Sequence, residues 1–331
     1  MKKLINSPEN VLTETVEGFV SAHSNIVTAH YDPVFISRST PTPAGKVALV
    51  SGGGSGHEPL HGGFVGDGML DAAVPGAMFT SPTPDQIEAA IKHADSGAGV
   101  LNIVKNYTGD VMNFEMAVEL AEADDIAVRS VIVNDDVAVE NSTWTAGRRG
   151  VAGTVLVEKV AGAAAARGDD LDAVTAAATK VVENVRSMGV ALSACTVPHA
   201  GEPSFQLADD EIEIGIGIHG EPGRERIKMD TADRITDLLL EPVLADLGLV
   251  SGEKVLLFVN GMGGTPASEL YIVYRHARSV LEDRGITVER SLVGNYVTSL
   301  EMQGASVTVL RLDDELTQLW DAPVKTAALN W

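Results

Sequence analysis

The stretch Val47-Ala48-Leu49-Val50-Ser51-Gly52-Gly53-Gly54-Ser55-Gly56-His57-Glu58-Pro59 decides how the rest of the chain is read. An apolar run that breaks into clustered glycines is the pattern of a buried strand whose end enters a tight loop. Glycine lets main chain approach a ligand closely, because no Cβ stands in the way. In open α/β sheets, ligands bind just beyond the carboxyl ends of the strands. His57 is therefore expected at a ligand site. The alternative is a glycine-rich turn with an exposed histidine.

On either side of this stretch, strand and helix patterns alternate. Ser7-Pro8-Glu9 reads as a helix start, followed by Leu12, Val16, Phe19, Val20 and His23 at helical spacing. Thr83-Pro84-Asp85-Gln86 reads as a capping box before Ile87, Ala90 and Ile91. Strands are expected at Val47–Ser51, Asp71–Val74, Gly99–Val104 and Ser130–Val133, with helices at Asp85–Ala94, Val111–Ala123 and Val151–Arg167. A helical pattern over Leu171–Ser187 leads to a second set of strands: Val190–Cys195, Glu213–Ile218, Lys254–Val259, Thr287–Leu292 and Ser306–Leu312. Helices Ala232–Leu247 and Ala267–Arg284 interrupt that set. The alanine-rich Ala161–Ala166 reads as helix packing.

The expected fold class is α/β: two packed α/β domains, residues 1–187 and 188–331, with mostly parallel sheets and a substrate site at strand ends between them. The boundary is placed near Ser187-Met188-Gly189. No Pro/Ser-rich linker occurs there, so the halves are expected to pack tightly.

Composition narrows the function. The 331 residues suffice for two domains, each with a core. A formal net charge of −22 argues against nucleic acid, whose phosphates require an excess of Lys and Arg. One cysteine, Cys195, excludes an intramolecular disulfide and disfavours a cysteine zinc site. With no charged-then-apolar leader and no apolar run of membrane-spanning length, a cytoplasmic protein is expected, with no membrane partner.

The chemistry-bearing motifs are weak one at a time. His57-Glu58-Pro59-Leu60-His61 spells HExxH, but that string binds zinc only on a helix, and Pro59 lies inside it. No metal site is expected. Neither the glycine loop nor Gly261-Met262-Gly263-Gly264-Thr265-Pro266 fits the dinucleotide fingerprint, since His57 and Pro266 fall where its third glycine belongs. Ile212, Ile214, Ile216 and Ile218 alternate with Glu211, Glu213, Gly215, Gly217 and His219, which reads as a strand ending on His219. Glycines beneath a strand-end histidine leave room for a small ligand, although an ordinary loop histidine is the competing reading. Asn102–Asp110 is a third strand end, where Lys105 could donate to hydroxyl or phosphate oxygens. Asp110 could be a base or simply a helix cap. Asn134-Asp135-Asp136 is read as a capping turn in preference to a magnesium site.

Taken together, SGGGSGHEP, FTSPTPDQI, IVKNYTGD, NDDVAVE, TAGRRGVAGTV, ACTVPHAGEPSF, IGIHGEPG, NGMGGTPASELY and GNYVTSLEMQGASVT resemble the dihydroxyacetone-binding K subunits of bacterial dihydroxyacetone kinases over nearly the whole chain. The resemblance implies a two-domain α/β fold, a homodimer and an unusual mode of binding. His219 is similar to the family's covalent histidine, which adds to the substrate carbonyl to form a hemiaminal. His57 falls on the histidine that hydrogen-bonds the substrate and assists as acid/base. Asp110 falls on the carboxylate that accepts the proton of the hydroxyl to be phosphorylated. Gly53, Gly54, Ser81 and Lys105 fall on substrate-binding positions.

By the same resemblance the chain is a stand-alone K subunit that binds no cofactor itself. ADP or ATP with magnesium is expected on a separate L subunit, which is recharged by an M subunit ultimately from phosphoenolpyruvate. Two other readings stay open: a kinase for another short ketose such as erythrulose, and a non-enzymatic sugar-sensing coregulator. A triose offers almost no apolar surface, so ordinary contacts give little affinity per atom. A reversible covalent bond selects carbonyl compounds over glycerol and also fixes the reacting hydroxyl in place.

Overall fold

Side chains pointing alternately to the two faces of each strand arrange the chain into five layers, described by a computed structural model over residues 2–140, 142 and 145–331. After a single 3-10 turn at Pro8–Asn10 come α1 (Val11–Ala22), β1 (Val27–Tyr31), β2 (Val34–Arg38), β3 (Ala48–Ser55) and β4 (Gly66–Asp67). There follow β5 (Ala72–Met78), α2 (Pro84–Ala94), β6 (Val100–Lys105), α3 (Thr108–Glu122) and β7 (Val128–Val133). The sheet they form has the order β1-β2-β5-β3-β6-β7. Strands β5, β3, β6 and β7 run parallel, while β1 and β2 extend the sheet antiparallel. The capping box forms as expected, with Thr83 N donating to Gln86 Oε1 at 2.9 Å.

Next come α4 (Gly153–Arg167), α5 (Leu171–Asn184), β8 (Val185–Ala191), β9 (Glu211–Ile214), β10 (Glu225–Lys228), α6 (Ala232–Leu247) and β11 (Lys254–Gly261). The chain closes with α7 (Ala267–Asp283), β12 (Thr287–Gly294), β13 (Gly304–Leu312), α8 (Asp314–Asp321) and β14 (Lys325–Thr326). The second sheet has the order β10-β9-β8-β13-β11-β12.

The period of two in each strand sorts side chains between layers. In β3 and β6, Leu49, Leu101 and Ile103 face α4 and α5, while Val50, Val100 and Val104 face α2 and α3. In β11 and β13, Leu256, Phe258 and Leu310 join that same α4–α5 core, while Val255, Leu257, Val307 and Val309 pack on α6 and α7. The two sheets therefore sandwich α4, whose residues from Gly153 through Ala165 are all buried. Its alanines make this possible: a helix buried on every side needs small residues wherever backbones crowd.

Several expectations are corrected. The α/β class stands, but only the first sheet is mainly parallel; in the second, β11–β12 is the parallel pair and the other pairings are antiparallel. The boundary placed at Ser187-Met188-Gly189 falls inside β8, because the helical pattern over Leu171–Ser187 gives way to strand at Val185. The halves share one core around α4, and β14 returns to pair with β4 in the first half. The glycines after Val50 are not a loop: β3 continues through them, pairing Gly52, Gly53 and Gly54 with Val74, Pro75 and Gly76. The isoleucine strand stops at Ile214, since Gly215 takes φ +80°, a left-handed turn. Cys195 lies in the loop beyond β8, buried and unpaired by any disulfide.

Gly162 tests the sandwich. It is a helix-interior glycine, so replacement by alanine would gain about 1 kcal/mol from helix propensity alone. A Cβ there would instead lie 2.5 Å from the Gly68 carbonyl oxygen. The expected outcome for Gly162→Ala is net destabilisation, by about 1–3 kcal/mol, from overpacking. Denaturant unfolding measures it, and a gain in stability would contradict the packing.

Candidate active site

Two cavities, each of about 470 Å³, meet at Gly54 in β3. One lies beneath α1 and is mainly apolar, lined by residues such as Val16, Phe19, Ile36, Leu60 and Val74. The other opens where the carboxyl ends of β3, β5 and β6 meet the second half of the chain. Gly54, Phe79, Thr80, Ser81, Tyr107, Gly109, Asp110, Asn113 and His219 line it. Titratable groups converge on this second cleft, so the chemistry is assigned there.

The glycines of β3 make room for it. A Cβ on Gly54 would lie 2.7 Å from Phe79 Cα and 2.5 Å from Thr80 N, where the chain turns after β5. A Cβ on Gly53 would run into the Lys105 ammonium and lie 3.4 Å from Asp110 Oδ2. Side chains at either position would displace the groups that build the cleft.

Asp110 lies in the first turn of α3, whose N-cap is Tyr107 with no side-chain cap bond. Its carboxylate is engaged elsewhere. Oδ1 accepts a hydrogen bond from Ser81 Oγ, and Oδ2 lies 3.5 Å from Lys105 Nζ. The helix-cap reading is not realised. Lys105 is fully buried beneath the cleft rather than lining it. Its ammonium donates to Gly52 O at 3.2 Å and to His61 Nε2 at 2.9 Å. An ammonium can only donate, so His61 Nε2 accepts and Nδ1 carries the hydrogen. That Nδ1 lies 2.6 Å from Glu158 Oε1 on α4. Burial, then Lys105 and His57, holds His61 well below the usual histidine range.

His57 Nδ1 donates to the Thr298 carbonyl at 2.7 Å, which leaves Nε2 as the acceptor. That Nε2 is buried with no protein partner among the described residues. Burial, then the neighbouring His219 and Lys105, lowers the His57 pKa well below the ordinary value, so the ring is neutral. It stacks on Phe79 with centroids 5.0 Å apart and meets His219 edge-on at 4.7 Å. His219 is held against Tyr107 and Phe79, at 4.6 and 5.2 Å between centroids. Its Nδ1 lies 3.0 Å from Glu221 Oε1, and its backbone N–H donates to Glu221 Oε2 at 2.9 Å.

The space beneath His219, read from its glycines as room for a ligand, is filled by the protein. A Cβ on Gly217 would collide with Glu221 Oε2 and lie 2.8 Å from a guanidinium nitrogen of Arg149. Arg149 is wholly buried, with Nε donating to Asp136 Oδ2 at 2.8 Å and a terminal nitrogen donating to Gly215 O at 2.8 Å.

The structure thus brings His57, His219, Asp110, Ser81, Gly53 and Gly54 together, with Lys105 behind Asp110. His57 and His61 turn to different partners, the Thr298 carbonyl and Glu158. Among the described residues, no group of three or more His, Cys, Asp or Glu side chains could hold a metal ion. Asp135 caps α4, accepting from Val151 N at 2.8 Å and Gly153 N at 2.7 Å, while Asp136 pairs with Arg149. No helix among the described residues is long and apolar enough to cross a membrane. Sequence reading missed Glu158, Arg149, Glu221 and Tyr107. A signal for the first was present: Glu158 interrupts an otherwise apolar helix, and a charge there needs a buried partner.

The chain is also similar to known proteins along nearly its whole length. The Dak1 domain family matches residues 17–328. The chain is 54% identical over 329 residues to "PTS-dependent dihydroxyacetone kinase 1, dihydroxyacetone-binding subunit DhaK" of Listeria innocua, covering 99% of this chain and 100% of that one. It is 49% identical to the "PEP-dependent dihydroxyacetone kinase, dihydroxyacetone-binding subunit DhaK" of Escherichia coli, covering 100% and 99%. Among solved structures, the dihydroxyacetone kinase of C. freundii in complex with AMP-PNP and Mg2+ superposes with TM-score 0.89 at 35% identity, covering all of this chain and 60% of that one. The "Dihydroxyacetone kinase operon co-activator Dha-DhaQ" superposes equally, with TM-score 0.89 at 35% identity and coverage of 95% and 96%. With a family match across nearly its whole length and relatives of this identity, the chain belongs to the Dak1 family.

Proposed function

We propose that this chain is the substrate-binding subunit of a dihydroxyacetone kinase: it captures dihydroxyacetone and presents one hydroxyl for phosphorylation. The observation that carries the reading is a convergence. His219 shares one cleft with an Asp110 that is already tied to Ser81 and Lys105, and the neutral His57 abuts it.

The steps follow from the hydrogen bonds. His219 Nε2 has no protein partner among the described residues and adds to the carbonyl carbon of the substrate. The carbonyl π pair moves to oxygen, which takes up a proton, giving a hemiaminal. His57 Nε2 is an acceptor and takes a hydrogen bond or a proton from a substrate hydroxyl. Asp110 accepts the proton of the hydroxyl that becomes phosphorylated. Ser81 aligns its Oδ1, and Lys105 sets a positive charge behind Oδ2. Gly53 and Gly54 admit the substrate to within backbone reach.

The phosphoryl donor belongs to a partner. No Walker-type loop occurs in the sequence. The Listeria innocua and Escherichia coli relatives that this chain matches nearly end to end are named as dihydroxyacetone-binding subunits of PTS- and PEP-dependent kinases. We assign ADP or ATP with magnesium to an L subunit, recharged from phosphoenolpyruvate through an M subunit. In this division of labour the part before β8 supplies the glycine strand, His57 and Asp110, and the part from β8 onward supplies His219. A sugar-sensing coregulator is the competing reading, given the co-activator relative; an assembled Asp110 base, which a sensor does not need, favours the kinase.

Two variants separate capture from transfer. Asp110→Asn keeps the shape and removes the base. Dihydroxyacetone binding is expected to persist while phosphorylation with cognate L and M subunits falls by about 10²–10⁴-fold. Near-normal turnover would remove Asp110 from the mechanism. His219→Ala is expected to abolish the mass increment of bound dihydroxyacetone in intact-protein spectrometry and to raise the Michaelis constant. An adduct persisting in that variant would place the covalent bond elsewhere.

A further inference from the structure

In the neutral His219 ring the hydrogen can sit on either nitrogen, and only the Nδ1–H tautomer leaves a lone pair on Nε2. What selects between them lies in a buried chain behind the ring. Glu221 is 3% exposed and directs both carboxylate oxygens at one residue, Oε1 to His219 Nδ1 and Oε2 to His219 N–H. Behind Glu221 lies the fully buried Arg149, clamped by Asp136 through Nε and a terminal nitrogen at 2.8 and 2.7 Å. The other terminal nitrogen of Arg149 has no hydrogen-bond partner among the described residues, and it lies on the Glu221 side, where a Gly217 Cβ would touch both. Gly217 and the left-handed Gly215 give the chain its path around this pair.

Each link sets the next. Burial would push the Glu221 carboxyl up, but the charge His219 carries when protonated, its hydrogen bond and Arg149 bring it down to about 2; beside the neutral ring, the hydrogen bond and Arg149 still act to keep it ionised. An ionised carboxylate only accepts, so the hydrogen on His219 must sit on Nδ1. The lone pair of the neutral ring is then on Nε2, the atom facing the cleft.

We infer that Glu221, seated by Arg149 and Asp136, is a positioning residue that fixes the Nδ1–H tautomer of His219 and so makes Nε2 the nucleophile. The inference rests on the covalent reading of His219 for its consequence, but not for its geometry. When Nε2 bonds to the carbonyl carbon, the π pair goes to oxygen, which takes a proton from water in the cleft. The ring is then an imidazolium whose charge lies against Glu221. Release of the Nδ1 proton to water restores neutrality and completes the hemiaminal. Glu221 therefore acts twice on one bond: it selects the attacking nitrogen and steadies the cation formed on attack.

The test is ring-nitrogen NMR of the full chain labelled with 15N-histidine, compared with Glu221→Gln and Glu221→Asp. In the wild type, His219 is expected as a single Nδ1–H tautomer. In Glu221→Gln, whose amide can donate as well as accept, a mixture of tautomers is expected, and the apparent dissociation constant for dihydroxyacetone should rise by about 10–100-fold, by analogy with losing the carboxylate behind a metal-binding histidine. Glu221→Asp should keep the Nδ1–H tautomer and recover part of the affinity. A wild-type ring protonated on Nε2 overturns the inference, whether or not the variants fold. So does a Glu221→Gln protein with an unchanged tautomer and unchanged affinity. If the wild type shows the Nδ1–H tautomer but forms no adduct, the positioning stands and the covalent reading fails.

Discussion

The absence of side chains along Gly52–Gly54 is the constraint on which the site depends. A parallel strand in the middle of a sheet ordinarily projects side chains to both faces. Here the positions are empty, and other groups occupy the volume: Val74 O beside Gly52, the Lys105 ammonium beside Gly53, and the Phe79–Thr80 turn beside Gly54. Strand β3 stays in register with β5 through these residues, so the glycines are held by ladder hydrogen bonds and not by loop entropy. Rigid backbone with no Cβ lets ionisable groups from β6 and α3 close on one point, with Ser81 from the turn after β5.

A second dependence runs through α4. A helix sandwiched between two sheets is in low dielectric, where an unpaired ion costs several kcal/mol. Glu158 lies on this helix, and burial pushes its carboxyl well above the usual range, opposed by Lys105. It is compensated across His61, so the core of the protein and the base at Asp110 are joined by one line, hydrogen bonds from Glu158 through His61 to Lys105 and then an ion pair to Asp110. Arg149, just ahead of the same helix, reaches toward His219 from the other side. The two reactive ends of the cleft are therefore both anchored to groups on or beside α4. Positions set by packed helices and strands are held more tightly than positions set by loops, which suits a reaction whose geometry must be fixed before a partner arrives.

The chemistry also explains why so polar a site is largely shielded. His57 is neutral because it is buried, so it remains an acceptor where an exposed histidine would be partly charged. A three-carbon ketone has few atoms from which to gain affinity. Shielding strengthens each hydrogen bond to it, and a covalent bond supplies what contact area cannot.

How much of this was legible beforehand follows from the range of the interactions involved. Local signals determined the elements: apolar runs gave β3 and β6, Thr83 and Gln86 gave the start of α2, and helical spacing gave α6 residue for residue. His57, Asp110 and His219 stood out because glycines and breakers adjoin them, and the family motifs gave them roles. Strand direction in the second sheet was not legible, since an apolar run reads the same whichever way its neighbour points. The end of β3 was misplaced because clustered glycines signal a turn unless another strand pairs with them, and β5 does. The switch from α5 to β8 at Val185 was hidden because the helical periodicity carries past it. Glu221, Arg149 and Glu158 could not be assigned partners from sequence: Glu221 feels the charge of Arg149, 72 positions earlier in the chain, a proximity that exists only once the sheet-flanked core has formed. The sequence by itself determined which residues could do the chemistry. Only the tertiary structure decided which nitrogen, which oxygen and which buried charge face one another, because those choices are made by burial and by contacts between distant segments.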